Sequence, residues 1–293
     1  MKLRIAAGLA LAALTTVLGA PGASAAPATA QDDPIATVYS GTVAPGGVQH
    51  RWWNNANPLS ATYVLGLAPV GATTSADCQF EVTRTWYTQN FGGEREFHYN
   101  IKNIGSISCA TNIHIYSLPD IAGAWNTNGV APGGSVTKHW NNASASSAYV
   151  AGLSPNGATA TTPCQFEVTR EWYAQQPGGE KEFWFTITNV GTIACTAEVL
   201  LSHNAAGSTS VTGPLAPGGT SGSNWNNNPT PIAYLVGFSP SGATATTPCL
   251  YELTRTYYSQ TINSGGTSER EFRHYWRNAG SITCSAVKLL TWL

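Results

Sequence analysis

Charge is scarce in this chain: 14 Lys and Arg and 15 Asp and Glu make up only 10% of its 293 residues. No basic stripe or cluster runs through it, so the Lys and Arg that would track phosphates are missing, and nucleic acid is not an expected partner. Long apolar runs are also lacking after residue 20. No later segment offers the ~20 apolar residues of a membrane span, so none is expected. Catalytic and metal-ligand signatures are absent. The His residues, at 50, 98, 114, 139, 203 and 274, form no equivalent set, and neither His-Glu-x-x-His nor Gly-x-Ser-x-Gly occurs. Carboxylate pairs such as Glu94 with Glu96 sit on an exposed hairpin rather than in a cleft. The expectation is a protein that is not an enzyme and holds no cofactor and no metal.

What is abundant is aromatic and small polar: 10 Trp, 12 Tyr and 30 Gly, with many Asn, Thr and Ser. That balance suits secreted all-β proteins, including those that handle sugars. Lys2 and Arg4 precede an uncharged stretch from Ile5 to Ala20 and then Ala23-Ser24-Ala25, the order of a secretory signal peptide over 1–25. Residues 26–35 are too poor in apolar side chains to bury and read as a disordered leader. Without Lys2 and Arg4, twelve basic residues face 15 acidic ones. The expected location is secreted, extracellular.

Self-similarity decides the organisation. Pro45-Gly46-Gly47 recurs as Pro132-Gly133-Gly134 and Pro217-Gly218-Gly219, and Trp53-Asn54-Asn55 as Trp140-Asn141-Asn142 and Trp225-Asn226-Asn227, in steps of 87 and 85 residues. Tyr63, Gly71-Ala72-Thr73, Cys78, Glu81, Thr83-Arg84, Glu96-Phe97, Asn103 and Cys109 all have counterparts in order in the two later copies. The chain therefore divides into modules over 36–119, 120–205 and 206–293. Each is small for an independent domain, and its core is thin.

Treating the copies alike pairs Cys78 with Cys109, Cys164 with Cys195 and Cys249 with Cys284. The third gap is four residues longer, as is the third copy's hairpin segment, Ser259 to Ser268. An oxidising compartment permits such bonds, and loops of this length contribute roughly 3–4 kcal/mol each by chain entropy. A cyclic exchange between modules is equally symmetric but needs closer contact.

In the second copy Cys164, Phe166, Val168 and Trp172 alternate with Gln165, Glu167, Thr169, Glu171 and Tyr173, the period-two pattern of a half-buried strand, with Arg170 interrupting the apolar face. A second alternating run, Glu180 to Asn189, comes after the Gly178-Gly179 turn, so the two form an antiparallel hairpin. Setting Tyr173 opposite Glu180 places Val168 opposite Phe185 and Phe166 opposite Ile187. The same rule sets Val82 opposite Tyr99 and Leu253 opposite His274. Further strands are expected near 135–140, 147–153 and 194–202. About six short strands per copy and no helical period give an all-β fold: three tandem small antiparallel β-sandwich modules, immunoglobulin- or fibronectin-like, with one disulfide each. Whether they lie in a row or cluster stays open.

Three residue sets invite function. The triplets Trp53, Asn54, Asn55; Trp140, Asn141, Asn142; and Trp225, Asn226, Asn227 combine a ring that can stack on a sugar with amides that donate and accept. Against this, a Trp ending a strand often plugs a small core, and paired Asn suit left-handed turns. Arg84, Arg170 and Arg255 read as structural, paired with Glu94, Glu180 and Glu269 or stacked on a neighbouring ring. Glu81, Glu167 and Glu252 read as solvated unless the modules cluster. The expected function is a secreted, non-catalytic repeat protein that binds an extracellular polymer, lectin-like or adhesive, through multivalent weak sites. Its partner would be a polysaccharide or cell-surface glycan. The alternatives are a structural surface spacer, or an inhibitor or toxin component that grips another protein through its hairpin loops.

Overall fold

The computed structural model describes residues 33–54, 56, 61–119, 125–226 and 233–293. The expected signal peptide and most of the leader lie outside the described residues. Among those described, every regular element is a strand, and no residue is helical. The first copy contributes β1 (Ala36–Tyr39), β2 (Val48–Asn54), β3 (Ala61–Val70), β4 (Cys78–Gln89), β5 (Arg95–Asn103) and β6 (Ala110–Pro119). The second gives β7 (Trp125–Asn126), β8 (Ser135–Asn141), β9 (Ser147–Asn156), β10 (Cys164–Gln175), β11 (Lys181–Asn189) and β12 (Thr196–Ala205). The third gives β13 (Ser208–Val211), β14 (Thr220–Asn226), β15 (Tyr234–Ser241), β16 (Cys249–Ile262), β17 (Ser268–Asn278) and β18 (Ser285–Trp292).

Three of these strands per copy make a separate antiparallel sheet, in the orders β1-β6-β3, β7-β12-β9 and β13-β18-β15. The other three, such as β2-β5-β4, belong to one nine-stranded sheet. The core fills the space between: Phe80, Phe97 and Ile101 from the large sheet and Leu67, Ile113 and Ile115 from the small one are all buried. Each expected disulfide is present, Cys78–Cys109, Cys164–Cys195 and Cys249–Cys284, with Cα atoms 6.0–6.1 Å apart. It staples the first residue of the long strand to the residue before the small sheet's middle strand. Asn103, Asn189 and Asn278 are fully buried. The amide of Asn103 donates to the Val43 and Ile107 carbonyls and accepts from Gly105 N, and its two counterparts do likewise.

The nine-stranded sheet closes at its centre. The end of β4 pairs with the start of β10 (Thr88 with Gln165), the end of β10 with the start of β16 (Ala174 with Leu250), and the end of β16 with the start of β4 (Ser259 with Gln79). Each long strand thus gives one edge to its own hairpin and divides the other between its two neighbours. Three strands form a triangle about a pseudo-threefold axis, and the copies stand in a ring. Side chains lock each corner. Gln89 Oε1 accepts the amides of Gly157 (2.8 Å) and Ala158 (3.0 Å), Gln260 those of Gly71 (2.9 Å) and Ala72 (3.1 Å), and Gln175 that of Ala243 (3.0 Å). The recurring Gly-Ala-Thr is the acceptor's docking point.

The hairpin register departs from the expected one. Tyr173 faces Phe183, Val168 faces Ile187 and Phe166 faces Asn189; Val82 faces Ile101, and Leu253 faces Trp276. The turn is tighter than the glycine pair suggested. Gln176 N donates to Glu180 O and Gly179 N to Gln176 O, and Gly179 takes φ 88°, so only Pro177, Gly178 and Gly179 form the loop. The third copy's four extra residues do not enlarge the tip either. They lengthen the strands, Thr261 facing Glu269 and Ile262 facing Ser268, while Asn263 to Thr267 repeats the same turn.

The third core differs in kind. His274 stands where the first two copies carry Tyr99 and Phe185, Trp276 replaces Ile101 and Ile187, and Lys288 replaces Ile113 and Val199. Among the described residues neither His274 ring nitrogen nor Trp276 Nε1 meets a hydrogen-bond partner, and Lys288 Nζ sits 5.4 Å from the Trp276 ring centroid. Burial, helped by the Lys288 charge, lowers the His274 imidazole to about 3. The unfolded chain takes up this proton as pH falls below about 6.5 while the native state refuses it, so this group's stability contribution is lost progressively between about pH 6.5 and 3. The slope approaches about 1.4 kcal/mol per pH unit. Denaturant unfolding across that range should show His274→Phe with a flatter decline than the parent chain, and parallel declines would contradict this assignment.

Candidate functional site

The site is the solvent face of the nine-stranded sheet around the axis. A β-bulge creates it: the register slips between Val82 and Arg84, Val168 and Arg170, and Leu253 and Arg255. A bulge inserts one residue and reverses the parity of every later residue in the strand. Arg170 and Trp172, expected inward, therefore face out, and Glu171 and Tyr173, expected outward, face in. The buried hydroxyls of Tyr87, Tyr173 and Tyr258 accept the amides of Tyr63 (3.3 Å), Tyr149 (2.8 Å) and Tyr234 (3.2 Å). Burial raises all three phenols well above their ordinary range.

Once the parity is reversed, the Arg and Glu series meet across copies. Arg84 binds Glu167 (2.7 Å), Arg170 binds Glu252 (3.1 Å) and Arg255 binds Glu81 (3.0 Å), a cyclic set about the axis. Arg277 adds a second cation to Glu252 (2.7 Å). The expected partners Glu94, Glu180 and Glu269 are not the ones used, because closure brings the next copy's strand nearer. Each guanidinium also lies over the ring two residues on, at 4.7 Å from Trp86, 4.6 Å from Trp172 and 5.0 Å from Tyr257. The Arg side chains are about 40% exposed, so each ion pair contributes only about 0.2–1 kcal/mol. Their effect is to fix where the rings stand.

Outward from each Arg runs an aromatic row. In the first copy Trp86, His98 and His50 stack with centroids 4.9–5.2 Å apart, next to the exposed Trp52. Glu96 holds His98 Nε2 at 2.9 Å, and His98 Nδ1 lies 3.0 Å from His50 Nε2. In the second, Trp172, Trp184 and His139 stack at 5.6 and 4.2 Å, and Glu182 accepts Trp184 Nε1 at 2.7 Å. In the third, Tyr257 stacks on Tyr275 at 6.1 Å, and Glu271 holds Arg273 at 2.7 Å. The ring spacing is close to that between strands, so side chains on the same face of adjacent strands stack on one another across the sheet.

The Trp-Asn-Asn triplets sit elsewhere. Trp53, Trp140 and Trp225 are half-buried against the core, Trp140 edge-on to Trp125 at 5.7 Å and Trp225 stacked on Trp292 at 5.6 Å. Asn54, Asn141 and Asn226 are exposed at strand ends, and Asn142 takes the left-handed φ of 60°. Asn55 and Asn227 lie outside the described residues. The outward rings were missed although a signal exists: an Arg is followed two residues later by an aromatic in all three copies, at Arg84-Thr85-Trp86, Arg170-Glu171-Trp172 and Arg255-Thr256-Tyr257.

Two residues break the threefold pattern beside the axis: Arg277, where the other copies have Lys102 and Thr188, and Glu171. Where the other copies have Thr85 and Thr256, the second has Glu171, half-buried, its Oε1 accepting Ala151 N at 3.0 Å. It lines a hollow with Arg170, Glu252 and Arg277, and burial pushes its carboxyl up to about 7. No protein-family model, curated protein or solved structure matches the chain. A carboxyl with a raised pKa keeps a proton that the unfolded chain releases between about pH 4.5 and 7, so the native state is penalised as pH rises through that window. Glu171→Gln should therefore stabilise the chain above pH 7, by on the order of 1–3 kcal/mol, and change little at pH 4. Urea unfolding at both pH values checks this, and equal effects at the two would contradict it.

Proposed function

We propose that the chain is a non-catalytic, extracellular binding protein that grips a repetitive glycan polymer with the solvent face of its nine-stranded sheet. One observation carries the reading: three aromatic rows, each begun by an Arg fixed across a copy boundary, are displayed together on a single face of a closed ring. Rings and amides contact sugars through apolar CH faces and hydroxyls, without needing net charge. Three weak contacts on one rigid frame add avidity of ~10² or more over one contact. The three disulfides suit an oxidising compartment. Each six-stranded copy is read as a reduced sandwich of immunoglobulin or fibronectin style. The Trp-Asn-Asn triplets take a mainly structural role in this reading, and the contact surface moves to the Arg-anchored rows.

Retention on a panel of insoluble cellulose, chitin, xylan and peptidoglycan tests it. The parent chain should be retained on at least one, with little difference between low and 0.5 M salt, because stacking and neutral hydrogen bonds lack a long-range Coulomb term. A Trp86→Ala, Trp172→Ala, Tyr257→Ala chain, checked for fold by circular dichroism, should be retained clearly less on that polymer. A parent chain that binds none of the panel, or a folded triple variant that binds as well as the parent, would overturn the reading.

A further inference from the structure

The three aromatic rows end differently. In the first copy the row is closed by His50 on the edge strand β2, and in the second by His139 on the edge strand β8. In the third, the edge strand β14 offers Gly222 directly opposite Tyr275. The equivalents of Gly222 are His50 and Thr137, and those of Tyr275 are Asn100 and Thr186, so the pair is peculiar to this copy.

Only glycine allows this ring position. A Cβ at 222 would lie 2.6 Å from Tyr275 Cδ1 and 2.7 Å from Cε1, which means that the ring leans over the bare Gly222 backbone. Among the described residues no edge-strand ring closes the row on that side, and Tyr275 is 36% exposed. Beside it is a shallow hollow of about 350 Å³ lined by Gly222, Ser223, Asn224, Arg273 and Tyr275.

The polar groups along this hollow are ordered by one another. Asn224 Nδ2 donates to Asn226 Oδ1 (2.7 Å) and to Glu271 Oε1 (3.4 Å), while Arg273 Nε donates to Glu271 Oε2 (2.8 Å). Arg273 also lies 5.9 Å from the Tyr257 ring centroid, which restrains it further. Planar amide, guanidinium and carboxylate groups next to a partly exposed aromatic ring can serve a ligand with one apolar face and a rim of hydroxyls. Hydroxyls both donate and accept, so they can meet the acceptor oxygens of Asn226 and Glu271 and the donors of Arg273 together.

We infer that the hollow beside Tyr275 and Gly222 is a saccharide subsite, in which an uncharged hexopyranose unit stacks on Tyr275 and hydrogen-bonds to Asn224, Asn226 and Arg273. This rests on the glycan-binding reading and assigns its principal contact to the third copy. The first two copies, with their rows closed by histidine, supply weaker edge contacts.

The test measures the affinity of the full chain for whichever insoluble glycan retains it, alongside Tyr275→Ala, Tyr275→Phe and Gly222→Thr, each shown to be folded by near-ultraviolet circular dichroism. Tyr275→Ala should weaken binding at least ~10-fold. Gly222→Thr, which restores the second copy's residue and displaces the ring without removing it, should do likewise, while Tyr275→Phe should stay within about twofold of the parent. If the parent binds and both Tyr275→Ala and Gly222→Thr bind equally well, the subsite is refuted and the broader reading stands. If the parent binds no glycan, the reading fails and the subsite with it. Weakening by Tyr275→Ala but not by Gly222→Thr would also contradict it, since the ring's placement over Gly222 would then be irrelevant.

Discussion

The pairing of three long strands end to start, β4 with β10, β10 with β16 and β16 with β4, is the constraint on which the other features depend. A strand with one hydrogen-bonded edge leaves the other edge open to association. Here that edge is filled at both ends by neighbours, and only its middle looks onto the axis. Closure also enlarges what each copy can bury. The main hydrophobic cluster runs through Phe80, Phe166 and Tyr251 as one body, where an isolated copy of about 85 residues would keep only a thin core.

Closure decides the chemistry of the exposed face as well. The bulge at Thr83, Thr169 and Thr254 lies in the stretch of edge that no neighbour occupies, where an extra residue disturbs no second ladder. It turns an Arg and the aromatic after it toward water, and the next copy's Glu is then within reach. A ring of weak ion pairs results, whose value is positional. On this symmetric frame the copies have diverged at a few places: Glu171 beside the axis, the His274, Trp276 and Lys288 core, and the Gly222 with Tyr275 edge. Each breaks threefold equivalence without touching the strand pairings, as expected if the frame is fixed by backbone bonds and the surface is free to vary.

Much of this was legible from periodicity and recurrence. The strands, the three disulfides and the inward Phe183, Phe185 and Ile187 all come from alternation and from treating the copies alike. The bulge was not legible, because counting by twos cannot register an inserted residue. One slip therefore reversed Arg170, Glu171, Trp172 and Tyr173 together. Ring closure was also hidden: Gln89, Gln175 and Gln260 recur visibly, but nothing in the pattern says that their acceptors bind a neighbouring copy. The triplets drew attention because Trp beside Asn is conspicuous, whereas Gly222 carries its meaning only through the ring that leans over it. Such contacts are long-range, and no local rule encodes them.

A closed ring and an open row of copies differ most plainly in size, and small-angle X-ray scattering on the chain from residue 33 onward separates the two directly. A closed, compact body of this length has a radius of gyration of about 18 Å, whereas three modules strung in line exceed that by roughly half. A value near the first, with a profile that fits the threefold arrangement, is the predicted result. A clearly larger value, or the scattering of flexibly linked beads, would contradict the strand pairings at the centre of the fold and the shared binding face with them.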